Sequence, residues 1–452
     1  MPNATHTLAQ LRAGKLKGIH RLKFNSGLTK FPREIFDLVD SLQILDLSGN
    51  ALTSLPDDLP RLRQLRVIFG SGNQFTELPD VLGQCPRLQM VGFKANQIRR
   101  VSANALPPQL RWLILTDNQI EVLPAVLGDC SHLQKLMLAG NRLQQLPAQL
   151  VQCQQLELLR ISANELNGLP PWLVNMPRLA WLACAGNPFS DLHTQASSQA
   201  LTTAIEWRNL RLQHVLGEGA SGIIYQALLT PDGNNALKTA QTGSEPLAIA
   251  VKLFKGTVTS DGWPHSELAA SLATADRPHP NVIHVIGPLS GHPDGTAGLV
   301  MPLIAPRFAT LAAPPSLQSC TRDVYPPGSC FSHPKIMRIA LGAARATAYL
   351  HAQGLLHGDL YAHNLQCDTD GFCLLGDRGA ASFLPADKAL SQALQRLEVR
   401  AFGCLLEELL ARGAQAAPPA WTALQSQCLG LPAQRPLFDD IVQTLTSMGV
   451  TG

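Results

Sequence analysis

The chain has 452 residues, 45% hydrophobic and 15% charged, which allows two or three domains with real cores and fits a soluble globular protein. Residues 1 to 190 hold 19 Lys and Arg against 13 Asp and Glu, and the remainder 17 against 20, so neither half carries the charge excess that points to nucleic acid. No run approaches the about eighteen apolar residues of a membrane span, and Met1 to Phe24 has no signal-peptide core; the expectation is a cytoplasmic protein without a membrane span. Its ten cysteines run from Cys85 to Cys428 without a Cys-x-x-Cys pair, and Cys130, Cys153 and Cys404 sit in apolar-periodic stretches, which predicts reduced, buried thiols.

Asparagines recur at Asn50, Asn73, Asn96, Asn118, Asn141, Asn164 and Asn187, at a constant spacing except that the step from Asn96 to Asn118 is shorter by one. Around each runs the frame Leu-x-x-Leu-x-Leu-x-x-Asn-x-Leu-x-x-Leu-Pro-x-x-Leu, clearest in Leu133 to Leu150 and Leu42 to Leu59. Period-2 leucines predict short strands facing a core, the Asn satisfies turn backbone groups, and the Leu-Pro segment returns on the convex side. The frame resembles the leucine-rich repeat family. An atypical first unit around Leu22, Phe24 and Leu28 has Gly27 in place of Asn, giving about eight units over residues 1–189. The concave row Ile44, Val67, Met90, Trp112, Lys135, Leu158 and Trp181 is apolar for an outward face. Two readings stand: the side chains fill the rim of the strands, or they form a docking surface anchored by Trp112 and Trp181 for a protein partner or for the chain's own second half.

Asn187-Pro188-Phe189 closes the array, and 190–206 reads as a linker or a short connecting helix. A strand over Arg211 to Val215 leads into Gly217-Glu218-Gly219-Ala220-Ser221-Gly222-Ile223-Ile224, and a strand-like Ile223 to Leu229 follows. A dinucleotide-binding turn would lead into a helix instead, so this is a glycine-rich hairpin whose amides can approach phosphates. Two lysines compete for the phosphates. Lys238 sits in a turn-rich insertion, whereas Lys252 lies after Ala250 in the buried-strand run Leu247 to Phe254 and precedes Glu267 on a helix-like stretch; Lys252 is chosen, paired with Glu267. Lys335 to His351 reads as an amphipathic helix.

That helix leads to His357-Gly358-Asp359-Leu360-Tyr361-Ala362-His363-Asn364, followed by the hairpin signal Asp370-Gly371 and by Leu375-Gly376-Asp377-Arg378-Gly379. The hairpin would return Asp377 beside Asn364. An Asp can accept the proton of an attacking hydroxyl, and an Asn and a second Asp can hold the metal ions that neutralise phosphates. Here the sequence resembles the protein kinase family, over about residues 207–452, with His-Gly-Asp where most members read His-Arg-Asp. The resemblance implies a two-lobed α+β fold behind the α/β repeat solenoid. It also implies ATP with Mg²⁺ or Mn²⁺, Asp359 as base, Asn364 and Asp377 as metal ligands, Lys252 and Glu267 as phosphate clamp, Met301 as gatekeeper and Pro302 to Ile304, including Leu303, as the adenine-contacting hinge. His279-Pro280-Asn281, the helix around Glu398 to Glu407 and Gln434-Arg435-Pro436 match further family segments in order.

The departures matter as much. Gly358 replaces the Arg that would hold a phosphorylated activation loop, and Tyr361 the Lys that serine/threonine members often place near the γ-phosphate. Arg378 and Ser271 stand where apolar partners would join the lobes, which predicts loose coupling between them. The segment from Asp377 to Glu398 is short and lacks Ala-Pro-Glu, so the platform for a peptide is truncated. The reading is a serine/threonine-type protein kinase with a repeat domain for protein interaction. A catalytically dead pseudokinase scaffold and a kinase for a small-molecule hydroxyl are the alternatives.

Overall fold

The computed structural model describes residues 5–190, 203–230, 246–256 and 258–450. Lys238 and most of the expected 190–206 connector lie outside the described residues. The chain packs as two units, Met1–Leu179 and Ala180–Gly452.

The first unit opens with a short helix, α1 (Leu8–Arg12), started by a reciprocal capping box between Thr7 and Gln10. Seven three-residue strands follow: β1 (Arg21–Lys23), β2 (Ile44–Asp46), β3 (Val67–Phe69), β4 (Met90–Gly92), β5 (Trp112–Ile114), β6 (Lys135–Met137) and β7 (Leu158–Arg160). They pair in parallel with one register throughout, Ile44 opposite Val67 and Met90 opposite Trp112. The middle residue of each strand from Leu22 to Leu159 points into the core and is essentially unexposed.

What stacks the units is the asparagine. Asn141 Oδ1 accepts from the Ile120 amide at 3.0 Å, while its Nδ2 donates to the carbonyls of Leu115 and Leu138, both at 2.9 Å. Asn50, Asn73, Asn118 and Asn164 repeat the arrangement, so each side chain ties its own turn to the preceding repeat. On the convex side the repeats carry 3₁₀ turns rather than α-helices, most of them starting after an extended proline such as Pro79, Pro124 or Pro147. The short span between that proline and the following cysteine leaves room for a turn but not for a longer helix.

The concave row is not an open apolar surface. Val67, Met90, Lys135 and Leu158 are buried, and Ile44 and Trp112 are half-buried. Trp112 is packed on the next strand, donating Nε1 to Met137 Sδ at 3.4 Å with the Lys135 ammonium 4.3 Å above its ring.

The second unit begins with β8 (Trp181–Ala183), the strand of the last repeat. A six-stranded sheet in the order β10-β11-β12-β14-β13-β9 follows, built from β9 (Ile205–Glu206), β10 (Leu210–Glu218), β11 (Gly222–Leu229), β12 (Leu247–Phe254), β13 (Gly287–Ser290) and β14 (Gly298–Pro302). One face buries Ile205, Ala227, Ile249, Val251 and Val300; Phe254, Val285 and Leu299 pack with Leu268 and Leu272 of helix α2 (Pro264–Leu272). The helical part holds α3 (His333–Ala352), α4 (Lys388–Leu410), α5 (Pro419–Leu429) and α6 (Phe438–Val450), with Phe402 and Phe438 in edge contact 5.7 Å apart. Two small sheets complete it. β15 (Ala309–Thr310) joins the hairpin of β17 (Leu365–Cys367) and β18 (Cys373–Leu375), and β16 (Leu355–Leu356) pairs with β19 (Ser382–Phe383). Nine of the ten cysteines are buried, and no disulfide joins any of the ten. Among the described residues no helix is long and apolar enough to cross a membrane.

Asn141→Ala is expected to lower the unfolding free energy by about 3 kcal/mol, because three backbone groups lose a buried partner and each unmet group costs about 1–3 kcal/mol. Urea denaturation measures it; a loss under about 1 kcal/mol would mean those groups find other partners.

Candidate active site

β10 and β11 meet at the glycine turn, where the Gly219 amide donates to the Gly222 carbonyl at 2.9 Å. A Cβ on Gly222 would come within 2.5 Å of the Leu253 carbonyl and 3.3 Å of Lys252 Cε, so only glycine lets the hairpin lie this close to the strand behind it. Gly217 and Gly219 have no such neighbour: a Cβ there meets nothing within 4 Å. Glu218 pairs with Lys255 at 2.7 Å on the outside of the turn, and Lys255 also reaches the Gly219 carbonyl.

Beneath the turn lies a cavity of about 550 Å³. Its lining includes the apolar Ile224, Ala250, Val285, Leu299, Met301 and Leu303 and the polar Lys252, Glu267, Asn364 and Asp377. Of the residues expected to hold a nucleotide, Gly217, Gly219, Ala220, Ser221 and Gly222 also line it. Glu218 and Asp359 are not among the lining residues. The size and the mix of apolar and charged lining residues fit a nucleotide with its divalent ion.

Lys252, opposite Leu299 in the sheet, forms a buried ion pair with Glu267 of α2. Burial pushes the Glu267 carboxyl up; Lys252 draws it down, Asp377 adds repulsion, and the net shift is upward. Asp377 is in the left-handed region at φ 46°, where an Asp is tolerated because its carboxylate bonds locally; Oδ1 accepts from the Gly379 amide at 3.2 Å.

The Asp359 loop is fixed by polar groups. The hairpin of β17 and β18 turns at Gly371, with φ 91°, and returns the Gly376 amide to the Asn364 carbonyl at 3.0 Å. Asn364 Nδ2 donates to the Asp359 carbonyl at 2.8 Å and to Asp359 Oδ2 at 2.9 Å, which leaves Oδ1 as the atom suited to a hard cation. His357 is buried, its Nε2 donating to the Gly376 carbonyl at 2.7 Å and its Nδ1 accepting from the Asp359 amide. Those two partners make it a positioning group for the loop. From below, Glu398 accepts the Gly358 amide at 2.6 Å and the His357 amide at 3.3 Å, and meets His351 Nε2 at 2.7 Å. Burial alone would raise the Glu398 carboxyl, but His351, His357 and the Gly358 amide hold it below the usual carboxylate range.

Two parts of the site are absent from the sequence reading or differ from it. His363 lines the cavity with Nδ1 on buried Asp323 Oδ1 at 2.8 Å, its amide on Asp323 Oδ2 at 2.9 Å, and Nε2 4.0 Å from Asp359 Oδ2. Burial would lower its pKa, yet Asp323, Asp359 and Asp377 turn the net shift upward. His363 lay in view inside the octapeptide, but nothing near it in sequence marks Asp323. The second difference corrects the expectation of loosely joined lobes. Arg378 is buried and donates Nη1 to the Ser271 carbonyl at 3.1 Å and Nη2 to the Ile283 carbonyl at 2.9 Å. Ser271 stands in the last turn of α2, where carbonyls lack helical partners and a cation is favoured, so Arg378 ties the Asp377 segment to the helix carrying Glu267. Burial pushes the guanidinium down to about 10, and the Tyr349 and Glu267 charges oppose that shift.

Residues 210–404 match the profile of protein tyrosine and serine/threonine kinases. Residues 41–62 and 131–189 match two leucine-rich-repeat profiles. The chain joins leucine-rich repeats to a protein-kinase domain. One stretch is 41% identical over 49 residues to the serine/threonine-protein kinase BCK1/SLK1/SSP31 of Saccharomyces cerevisiae, covering 11% of this chain and 3% of that relative. Kinase domains generally use ATP with a divalent ion, and leucine-rich repeats generally mediate protein interactions.

Gly358 has φ 74°, and a Cβ there would lie 2.5 Å from the Ala380 carbonyl and 2.6 Å from that of Leu182. Gly358→Ala is therefore expected to cost about 2 kcal/mol or more, the left-handed penalty plus the clash, measured by thermal or urea unfolding. A neutral result would mean that the loop relaxes without strain.

Proposed function

We propose that the chain is an active protein kinase that transfers the γ-phosphoryl group of ATP to a serine or threonine hydroxyl. The observation that carries the reading is the convergence on one cavity of the Lys252–Glu267 pair, Asn364 and Asp377, with the Asp359 carboxylate bonded to Asn364 beside it. ATP with Mg²⁺, or Mn²⁺, supplies the phosphoryl group and part of the charge neutralisation when bound. Lys252, oriented by Glu267, would hold phosphate oxygens; the Gly217–Gly222 turn would cover them with backbone amides; Asn364 Oδ1 and the Asp377 carboxylate would face the cation; Met301 and Leu303 would flank the base. Asp359 would orient the acceptor hydroxyl and take its proton.

The same proposal divides the chain into a repeat domain to residue 189 and a kinase domain from 207, places it in the cytoplasm, and gives the repeats a protein partner. Trp181 supports an intramolecular rather than an external use, since it is buried within the second unit. A second reading, transfer to a small-molecule hydroxyl, is favoured by the short connection: α4 starts at Lys388, soon after Asp377.

Purified full-length protein with ATP and Mg²⁺ or Mn²⁺ is expected to autophosphorylate or to label a serine/threonine substrate. Lys252→Ala and Asp377→Asn are each expected to lower transfer by about a hundredfold or more while the unfolding midpoint changes little, because each removes charge stabilisation rather than core packing. Transfer persisting in both variants would remove the assignment; labelling of small alcohols but no peptide would favour the second reading.

Activity is also expected to be independent of phosphorylation between residues 380 and 397. Ser382 is buried in β19 and Ser391 half-buried on α4, and Gly358 provides no cation to bind a phosphate there. Phosphatase-treated wild type and the Ser391→Ala variant should turn over at the untreated rate. A drop in either refutes it.

A further inference from the structure

The last repeat strand touches the Asp359 loop on both sides of the aspartate. Trp181, 1% exposed, donates Nε1 to the Leu360 carbonyl at 3.0 Å. Its indole lies flat on the Tyr361 ring, 4.3 Å between centroids and 5° between planes, and the Arg322 guanidinium stands 5.4 Å from the same indole. One residue on, the Leu182 carbonyl occupies the space that a side chain at 358 would need. Two further on, Cys184 Sγ is 3.6 Å from Ser382 Oγ, and Ser382 pairs in register with Leu356, just before the loop.

These contacts fall at 358, 360 and 361, so the backbone on either side of Asp359 is held from one direction by β8, while Glu398 holds His357 and Gly358 from another. We propose that β8 positions the Asp359 loop for phosphoryl transfer, with Trp181 as its positioning residue and Gly358 as the residue that admits the strand. The glycine at 358 and the tyrosine at 361 are then one device. A small residue lets the strand close on the loop, and an aromatic one gives the indole a surface. Tyr361, covered in this way, serves as packing and leaves phosphate contact to Lys252 and the glycine turn. The loop is ordered by non-covalent packing within the chain, with no phosphate required.

The proposal rests on reading Asp359 as the proton acceptor, and its test separates the two. In the full-length chain, Trp181→Ala is expected to lower turnover at saturating ATP by about tenfold or more, since misplacing a reacting group by a fraction of an ångström has effects of this size, while the KM for ATP and the affinity for ADP change by less than about threefold. Amide exchange should accelerate at residues 357–364 and stay unchanged in α3. Trp181→Phe keeps an aromatic face without the Nε1 donor and should recover most of the turnover; if the alanine variant does not fold, the phenylalanine variant carries the test, with a smaller loss and exchange confined to the loop. Unchanged turnover and exchange overturn the proposal. So does a rise in turnover, which would make the strand a block, and so does acceleration spread evenly over the second unit, which would make Trp181 a stability residue alone. If wild type transfers no phosphoryl group at all, the kinase reading falls, and the exchange arm still decides whether β8 holds the loop.

Discussion

The candidate site depends on one buried carboxylate. Glu398 sits in the middle of α4, 3% exposed, and takes two successive loop amides and a histidine. A charge so deep is tolerable only because every partner is a donor, and breaking such a set leaves an uncompensated ion, so the loop cannot leave Glu398 cheaply. The backbone of His357 and Gly358 is thereby fixed, His357 in turn fixes Gly376, and Asn364 fixes the Asp359 carboxylate. The geometry of the candidate site is set by backbone hydrogen bonds more than by side-chain packing.

Buried cations make the same kind of tie. Lys252 meets Glu267, Arg378 meets two carbonyls, and Arg435 meets the carbonyls of Gly430 and Arg396. Arg378 is the informative case. An apolar residue there would adapt to a range of positions of α2, since dispersion contacts are soft and non-directional. A guanidinium bonded to two carbonyls has a narrow optimum, and withdrawing α2 strands its donors. The connection that looked weak in sequence is directional in the structure.

The repeats were legible because their information is local: one asparagine and one leucine frame, recurring at a fixed period, carry strand, turn and stacking together. The candidate site was legible for a related reason, since Asp359, Asn364 and Asp377 are near neighbours in sequence and one hairpin joins them. What the sequence did not disclose is the long-range pairing. Asp323 meets His363 across 40 residues, Arg378 meets Ser271 across 107, and Trp181 meets Leu360 across 179. No periodicity encodes such contacts. The convex 3₁₀ turns were hidden by a subtler cause, because a Leu-Pro segment marks a return but not which helix makes it.

Gly358 shows how a departure from a family pattern is read once the fold is known. In sequence it is a missing arginine, and a missing group suggests a missing function. In space it is a residue in left-handed conformation with two carbonyls, Leu182 and Ala380, closer than any side chain would permit. Arginine is not simply absent; no side chain of any kind fits while β8 lies where it does. The substitution and the strand therefore belong together, and neither can be changed alone without moving the loop that carries Asp359. A chain that orders the Asp359 loop this way depends on contacts made at folding, and under the proposed kinase function any control would have to act on something other than a phosphate beside that loop.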